Sequence, residues 1–181
     1  MSYDILICNW HKKAAKQKDF FSSFVFEYLA FIAHIRTQLF NGYEGDRECI
    51  QKLKQDNSLR AKFNEAIKSD KKLEATINEI IEKLNSVPLN NISQSQPKNW
   101  WNCSDNNPCG SLKMRGIIKS SDDWENIIEF WYTVRNNLFH GGKDPEAERD
   151  KFMVEHGYKT LRALVKIMLK DCQQVKRPSG L

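Results

Sequence analysis

The sequence predicts an all-α fold: a helical bundle of five or six helices with one long polar loop at about residues 86–121. Apolar residues recur every three or four positions through most of the chain, which is the helical period. The chain has only 8 glycines and 5 prolines, fewer than a turn-rich β-sandwich needs. Its 181 residues suit one domain with one core. No repeat or flexible linker divides residues 1–181.

The composition is that of a globular protein and excludes several classes. Hydrophobic residues make up 40% and charged residues 28%, which argues against a disordered or fibrous chain. Polar residues interrupt the richest apolar stretch, which therefore predicts no membrane span. The N-terminus lacks the basic start of a secretory signal, and the five cysteines are irregularly spaced. We therefore expect a cytoplasmic protein with reduced thiols. The net charge of +5 is compatible with a polyanionic partner.

The first helix is predicted over residues 18–40, before the stop signal Asn41-Gly42. Its apolar residues recur every three or four positions and form a stripe along the helix. Further phenylalanines extend this apolar surface almost all the way around the helix, which is typical of a helix at the centre of a bundle. A narrow polar strip remains, formed by Ser23, Glu27, His34 and Gln38. Glu27 and His34 either line a cleft or form a polar seam at the bundle surface.

Residues 46–85 predict two or three more helices. A short one carries Ile50 and Leu53. The next carries an apolar stripe through Phe63, with Asn57 or Ser58 as its N-cap. The cleanest begins after Ser69-Asp70 and ends before Pro88, with its stripe at Leu73, Ile77, Ile80 and Leu84.

The loop at residues 86–121 is rich in Asn, Ser, Pro and Gly. Loops of this length are uncommon inside compact domains and are often functional. Its second half is basic, and Trp100 and Trp101 either stack on bases or anchor the loop to the bundle. The cationic residues of that half are Lys98, Lys113, Arg115 and Lys119.

Two helices are predicted after the loop. Asp122 and Glu125 resemble a capping box, and the stripe that follows is Trp124, Ile128, Trp131, Val134 and Leu138. Gly141-Gly142 ends this helix. The last helix is predicted to begin with Asp144 at the N-cap and Pro145 at the first helical position. Gly157 is predicted to kink it.

The most informative residues are Arg135, Asn136 and His140, near the end of the predicted helix. At about 100° per residue, Asn136 and His140 lie about 100° and 140° from Arg135 around the helix axis. The three side chains therefore share one arc and point away from Leu138. The two glycines that follow leave room for a ligand.

This pattern resembles the HEPN superfamily, whose ribonuclease members carry an Arg, a polar residue directly after it and a His four to six residues on. The resemblance is sharpest over residues 124–172. It implies a single HEPN-like helical domain and a homodimer in which two motifs face one cleft. It also implies a metal-independent endoribonuclease that acts as a toxin or antiviral-defence effector, restrained by an antitoxin or regulatory protein.

The residue types suit RNA cleavage by attack of the 2′-OH on the adjacent phosphorus. His140 titrates near neutrality and can move the proton. Arg135 can hold two phosphate oxygens as negative charge develops, and Asn136 can bind phosphate or orient the imidazole. We expect no metal and no cofactor. Asn137, Lys143, Lys113 and Arg115 are the predicted substrate-binding residues.

Other interpretations of the same residues remain open. His140 can simply complement the helix dipole, and Arg135 can be an ordinary surface residue. A second set, Arg149, Asp150 and His156, also fits the loose motif. A catalytically silent HEPN-like module that binds RNA, a nucleotide or a partner protein is the alternative function.

The cysteines allow one further interpretation. Cys8 and His11 together with Cys103 and Cys109 could supply four zinc ligands. The spacing is unusual, and isolated thiols are the favoured interpretation.

Overall fold

The computed structural model describes residues 3–39, 45–92 and 116–175, and every regular element in those ranges is a helix. The predicted all-α bundle is confirmed, with seven α-helices in the described ranges instead of five or six. They are α1 (Tyr3–Ala14), α2 (Phe20–His34), α3 (Asp46–Lys54), α4 (Asn57–Ser69), α5 (Lys71–Ser86), α6 (Trp124–Phe139) and α7 (Glu148–Val175). A π-helical turn, Ile35–Leu39, extends α2.

The central helix α2 matches the segment predicted at 18–40. Asp19 caps it by accepting a hydrogen bond from the Ser22 backbone N–H at 2.8 Å. Phe24 and Phe31 are completely buried, as expected for a helix that is apolar nearly all round. The predicted stop at Asn41-Gly42 lies outside the described residues.

Helix α1 was not predicted from the sequence. Its sequence shows no clear apolar stripe, and few of its side chains are buried in the structure. Ile5, for example, faces solvent. It is held by contacts to α2: the Trp10 ring stacks on Phe26 at 5.6 Å between centroids, and His11 meets buried Glu27. Tertiary contacts of this kind stabilise a helix whose own pattern is weak.

Helices α3, α4 and α5 follow one another with short connections, as the sequence predicts. Asp70 caps α5 by accepting from the N–H groups of Lys72 and Leu73. The predicted cap of α4 is wrong by one or two residues. Asp56 fills that position instead of Asn57 or Ser58, because its carboxylate reaches the backbone N–H groups of both Ser58 and Leu59 at 3.0 Å.

Helix α6 is buried on almost every side. The predicted stripe is confirmed, and the indole N–H groups of Trp124 and Trp131 find acceptors at Leu53 O and Thr160 Oγ1. The predicted capping box at Asp122 and Glu125 is wrong. Asp123 precedes the helix and accepts from the Lys119 backbone N–H at 2.9 Å. Burial raises the pKa of Asp123 above its ordinary value.

Helix α7 begins at Glu148, later than predicted. Asp144 caps a turn instead, since its side chain accepts from the Glu146 N–H and its carbonyl from the Ala147 N–H. The helical segment continues through Gly157. A Cβ there would lie 3.1 Å from the Phe24 ring, so this glycine allows α7 to pack closely on α2.

The two described ends of the long loop are in contact, because the Leu89 N–H donates to the Gly116 carbonyl at 2.8 Å. Gly116 has φ +81°, and a Cβ there would meet the Leu89 backbone, so only glycine fits. The middle of the loop, which contains Trp100, Trp101, Lys113 and Arg115, lies outside the described residues. In the described ranges, none of the helices combines the length and hydropathy that a membrane crossing requires.

Candidate active site

The C-terminus of α6 forms the candidate site. His140 is the C-cap, and its backbone N–H donates to the Asn136 carbonyl at 3.0 Å. Gly141 follows at φ +71°, and the Gly142 N–H closes the turn on the Asn137 carbonyl at 2.8 Å. The predicted glycine stop is confirmed, and its cause is the left-handed conformation that favours glycine after a helix.

Arg135 is oriented by side chains from three helices. Its Nη1 donates to Asn136 Oδ1 at 2.8 Å, and its Nη2 lies 3.5 Å from Asp46 Oδ2 at the start of α3. The guanidinium lies 5.7 Å from the centre of the Tyr28 ring in α2 and 5.0 Å from that of Phe139. With 27% of its side chain exposed, Arg135 is held in place and still reaches the surface.

Asn136 and Asn137 are both buried. Asn136 acts on Arg135 through the hydrogen bond just described. Asn137 holds the start of the loop: its Nδ2 donates to the Asn90 carbonyl at 2.8 Å, and its Oδ1 accepts from the Ile92 N–H at 2.9 Å. Asn137, predicted to bind substrate, therefore has both ends of its amide engaged within the protein.

His140 differs from its neighbours because its side chain is exposed. The part of the chain that the structure describes offers it no side-chain hydrogen bond or ion pair. Its ring is therefore free to meet a ligand at the surface, on the same helix terminus as the guanidinium of Arg135.

The other predicted substrate-binding residues are differently placed. Lys143 is almost completely buried and pairs with Asp150, which also accepts from the Asp144 backbone N–H at 3.0 Å. This contact fastens the turn between α6 and α7 and leaves Lys143 no open side toward a ligand. Lys113 and Arg115 lie outside the described residues.

A charged cluster behind Arg135 was missed by sequence reasoning. Asp46 lies 3.5 Å from Arg36 Nη1 as well as from Arg135. Deeper in the bundle, buried Glu129 accepts from Arg47 at 2.9 Å and from Lys54 at 2.7 Å. Burial lowers the pKa of Lys54, and Glu129 opposes that shift. A glutamate within the apolar run Ile127–Trp131 was the one sequence signal of this cluster.

Tyr28 is the second residue that the sequence did not single out. It is buried beneath Arg135, and its hydroxyl has no hydrogen-bond partner among the described residues. Burial raises the pKa of Tyr28 well above its ordinary value, and the charge of Arg135 opposes that rise. A buried hydroxyl without a hydrogen-bond partner lowers the stability of the fold. The Tyr28 hydroxyl is therefore an unusual feature next to the candidate site.

Arg149 and His156, the second motif-like pair, make contacts to α5 and to the residues that follow α5. Arg149 Nη2 donates to the Val87 carbonyl at 2.7 Å. His156 Nε2 lies 2.7 Å from Glu79 Oε2, and its Nδ1 lies 2.9 Å from the Phe152 carbonyl. Both side chains connect α7 to its neighbour, which is what structural residues do.

Glu27 is completely buried in a charged network, so the predicted polar seam at the bundle surface is wrong for this residue. It lies 2.6 Å from His11 Nδ1 and accepts from Arg162 Nη1 at 2.9 Å, so it connects α1, α2 and α7. His11, one of the four residues considered for zinc, is thus already engaged, and Cys103 and Cys109 lie outside the described residues. Within the described ranges, no group of three or more His, Cys, Asp or Glu side chains is arranged to hold a metal ion.

The site therefore combines an oriented, partly exposed guanidinium with an exposed imidazole at one helix terminus. Such a pair can neutralise a phosphate and transfer a proton beside it. Comparison of the chain with protein-family models, with curated proteins and with solved structures returned no significant match.

Proposed function

We propose that the protein is a metal-independent endoribonuclease that cleaves RNA by 2′-OH attack. The contrast between the two motif-like pairs carries this proposal. Arg149 and His156 are committed to structural contacts, whereas Arg135 reaches the surface and His140 is exposed. The resemblance to the HEPN superfamily, drawn from the same residues, adds a biological role as a toxin or antiviral-defence effector that acts in the cytoplasm and is restrained by an antitoxin or regulatory protein.

The chemistry assigns a role to each residue of the motif. The 2′-oxygen forms a bond to phosphorus while the bond from phosphorus to the 5′-oxygen breaks. One imidazole accepts the 2′-OH proton, and an imidazolium returns a proton to the leaving 5′-oxygen. Arg135 stabilises the charge on the non-bridging oxygens, and Asn136 keeps the guanidinium in place.

A homodimer supplies both proton-transfer groups, one His140 from each copy. The apolar surface at this end of the molecule supports it, since Phe139 is 56% and Ile92 is 52% exposed. Ile92 lies against Gly142, where a Cβ would come within 2.2 Å of its Cδ1. An isologous interface that includes residues 135–143 would cover this surface and bring the two motifs together.

One observation favours the alternative, a catalytically silent helical module that binds RNA, a nucleotide or a partner protein. Both Nη atoms of Arg135 already have partners within the protein, Asn136 and Asp46. An arginine with a purely structural role would show the same contacts.

Cleavage of RNA in the presence of EDTA distinguishes the two functions. The enzyme would cut RNA without added metal and leave a 2′,3′-cyclic phosphate and a 5′-hydroxyl, because the nucleophile belongs to the substrate. A strand with deoxyribose at the cleaved position would resist. Binding without cleavage would support the silent module, and equal cleavage of DNA would contradict the 2′-OH mechanism.

A further inference from the structure

A groove between α4, α5 and α7 lies on the described surface away from the motif. It encloses about 720 Å³ and shares no residue with the C-terminus of α6. Leu73 and Ile167 form part of its apolar floor. Its rim is strongly charged, and this charge is the feature that suggests a ligand.

The charged residues that line the groove are mostly cations. Two carboxylates, Asp70 and Glu79, also line it. Both have partners within the protein, since Asp70 accepts from the backbone N–H groups of Lys72 and Leu73 and Glu79 contacts His156. The five cationic residues are Lys72, Lys159, Arg162, Lys166 and Lys170.

Three of these cations have no carboxylate partner in the described ranges. Lys159 pairs with Glu155 at 2.6 Å, and Arg162 pairs with Glu27 at 2.9 Å. Lys72, Lys166 and Lys170 are exposed and make no such pair. Three lysines of the groove therefore lie outside ion-pair distance of any carboxylate that the structure describes, and cations outnumber carboxylates by five to two in the lining.

The cations of α7 form a row along one face of the helix. Residues 159, 162, 166 and 170 step by three, four and four, so they follow the helix with about one cation per turn. At 1.5 Å per residue the row is roughly 17 Å long. Lys72, at the start of α5, lines the same groove from another helix. A chain of regularly spaced anions fits such a row better than a single small anion does.

An aromatic pair lies at the end of the groove where the row begins. Tyr158 lines the groove, and its ring lies 6.1 Å from that of Phe20, which is 40% exposed. A basic track with aromatic rings beside it is the arrangement by which proteins bind single-stranded nucleic acid without reading its sequence.

We propose that this groove binds the sugar–phosphate backbone of single-stranded RNA. The lysines neutralise successive phosphates, and the aromatic pair stacks on a base. Unpaired lysines act as point charges without the fixed geometry of arginine, which suits contact with a backbone of variable sequence. The inference rests on the proposed function for the choice of RNA as ligand, and it does not require cleavage.

The test measures binding of a 2′-O-methyl RNA oligonucleotide of about 12 nucleotides, which cannot be cleaved by 2′-OH attack. Fluorescence anisotropy over a salt series compares the wild-type protein with Lys72→Gln/Lys166→Gln/Lys170→Gln. The control, Lys12→Gln/Lys13→Gln/Lys16→Gln, removes the same charge from exposed lysines in and just after α1 that do not line the groove. Circular dichroism melting verifies that each variant folds.

We expect the groove variant to bind about tenfold more weakly than the control near 0.1 M salt. The slope of log affinity against log salt concentration should fall by about 2, since each lost phosphate contact on a single strand contributes about 0.7. Equal weakening by both variants would mean a general effect of net charge and would overturn the proposal. Unchanged RNA binding with loss of polyglutamate binding would assign the groove to an acidic protein and overturn it too.

Cleavage separates this inference from the proposed function. If the groove variant loses RNA binding while the wild-type protein shows no ribonuclease activity, RNA binding by the groove is supported and the proposed enzymatic function is contradicted. If the wild-type protein cleaves RNA and the groove variant binds the uncleavable strand normally, the enzymatic function is supported and RNA binding by the groove is contradicted.

Discussion

Arg135 and His140 differ in how the fold treats them. Arg135 is bound on both Nη atoms and packed against two aromatic rings, so its position is determined before any ligand arrives. His140 is exposed at the helix end. An oriented guanidinium needs little reorganisation to bind a phosphate.

The first prediction concerns these two side chains. His140→Ala should lower the rate of RNA cleavage by about 10²–10⁴, the usual cost of losing a general acid or base. Arg135→Ala should lower it by about 10²–10³ through loss of charge stabilisation. Single-turnover cleavage assays measure both, and circular dichroism shows whether the bundle is intact.

His156→Ala is the control for that experiment. It removes the contact with Glu79 and should lower the melting temperature while leaving cleavage by the folded fraction near the wild-type rate. Loss of cleavage in His156→Ala and retention in His140→Ala would assign the motif to the other pair.

The second prediction concerns the buried hydroxyl of Tyr28. Because burial raises its pKa, the folded protein keeps the phenol protonated at a pH where the unfolded chain, with a pKa near 10, ionises. This contribution to stability is present below about pH 10 and is lost as the pH rises further. Tyr28→Phe should therefore lose less unfolding free energy between pH 9 and pH 11 than the wild-type protein, as measured by urea denaturation.

Near neutral pH, Tyr28→Phe should be as stable as the wild-type protein or more stable, because it removes a buried polar atom without a partner. A marked loss of stability there would show that the hydroxyl is satisfied, and the basis of the prediction would be wrong.

Among the helices, α6 is the one whose C-terminus determines the geometry of the candidate site. Its body is held by buried tryptophans and by the ion pairs of Glu129 with Arg47 and Lys54. Its C-terminus is set by Gly141, which turns the chain directly after His140. The position of the imidazole therefore depends on one backbone conformation.

The third prediction tests that conformation. Gly141→Ala should lower the unfolding free energy by roughly 1–2 kcal/mol, because φ is +71° and an L side chain disfavours it. No atom lies within 4 Å of the added Cβ, so the cost comes from the backbone alone. Urea denaturation measures it.

Gly141→Asn is the matched variant for this test. Asparagine tolerates the left-handed conformation better than alanine, so it should lose clearly less stability. Equal losses in the two variants would point to a steric cause and contradict the interpretation.

At the scale of the whole molecule, the apolar surface beside the motif predicts a dimer. Ile92→Asp should shift the protein toward monomer in sedimentation velocity experiments at micromolar concentration and should lower RNA cleavage, since each monomer has one motif. Burying an unpaired charge in an interface is strongly unfavourable.

Ile5→Asp is the matched control, because Ile5 on α1 is also 52% exposed. It should leave both sedimentation and cleavage unchanged. A wild-type protein that sediments as a monomer, or equal effects of the two substitutions, would contradict an interface at residues 135–143.

The sequence by itself determined the helical class, the position of α2, the stripe of α6, the start of α5 after Ser69-Asp70 and the stop at Gly141. Each of these depends on residues within a few positions of one another, so local spacing is enough to predict it. The motif could be found for the same reason, since its three members lie within six residues. The sequence did not determine which face of α2 is buried, because Ser23, Glu27 and His34 of the predicted polar strip lie on the buried side.

Only the tertiary structure decided what each polar side chain contacts. Nothing near Lys143 or Asn137 in the sequence indicates that Lys143 pairs with Asp150 or that Asn137 holds Asn90 and Ile92. Helix α1 depends likewise on a stacked ring and a glutamate from α2. The orientation of Arg135 by Asp46 and the groove between α4, α5 and α7 arise from residues far apart in the chain, because only packing brings them together.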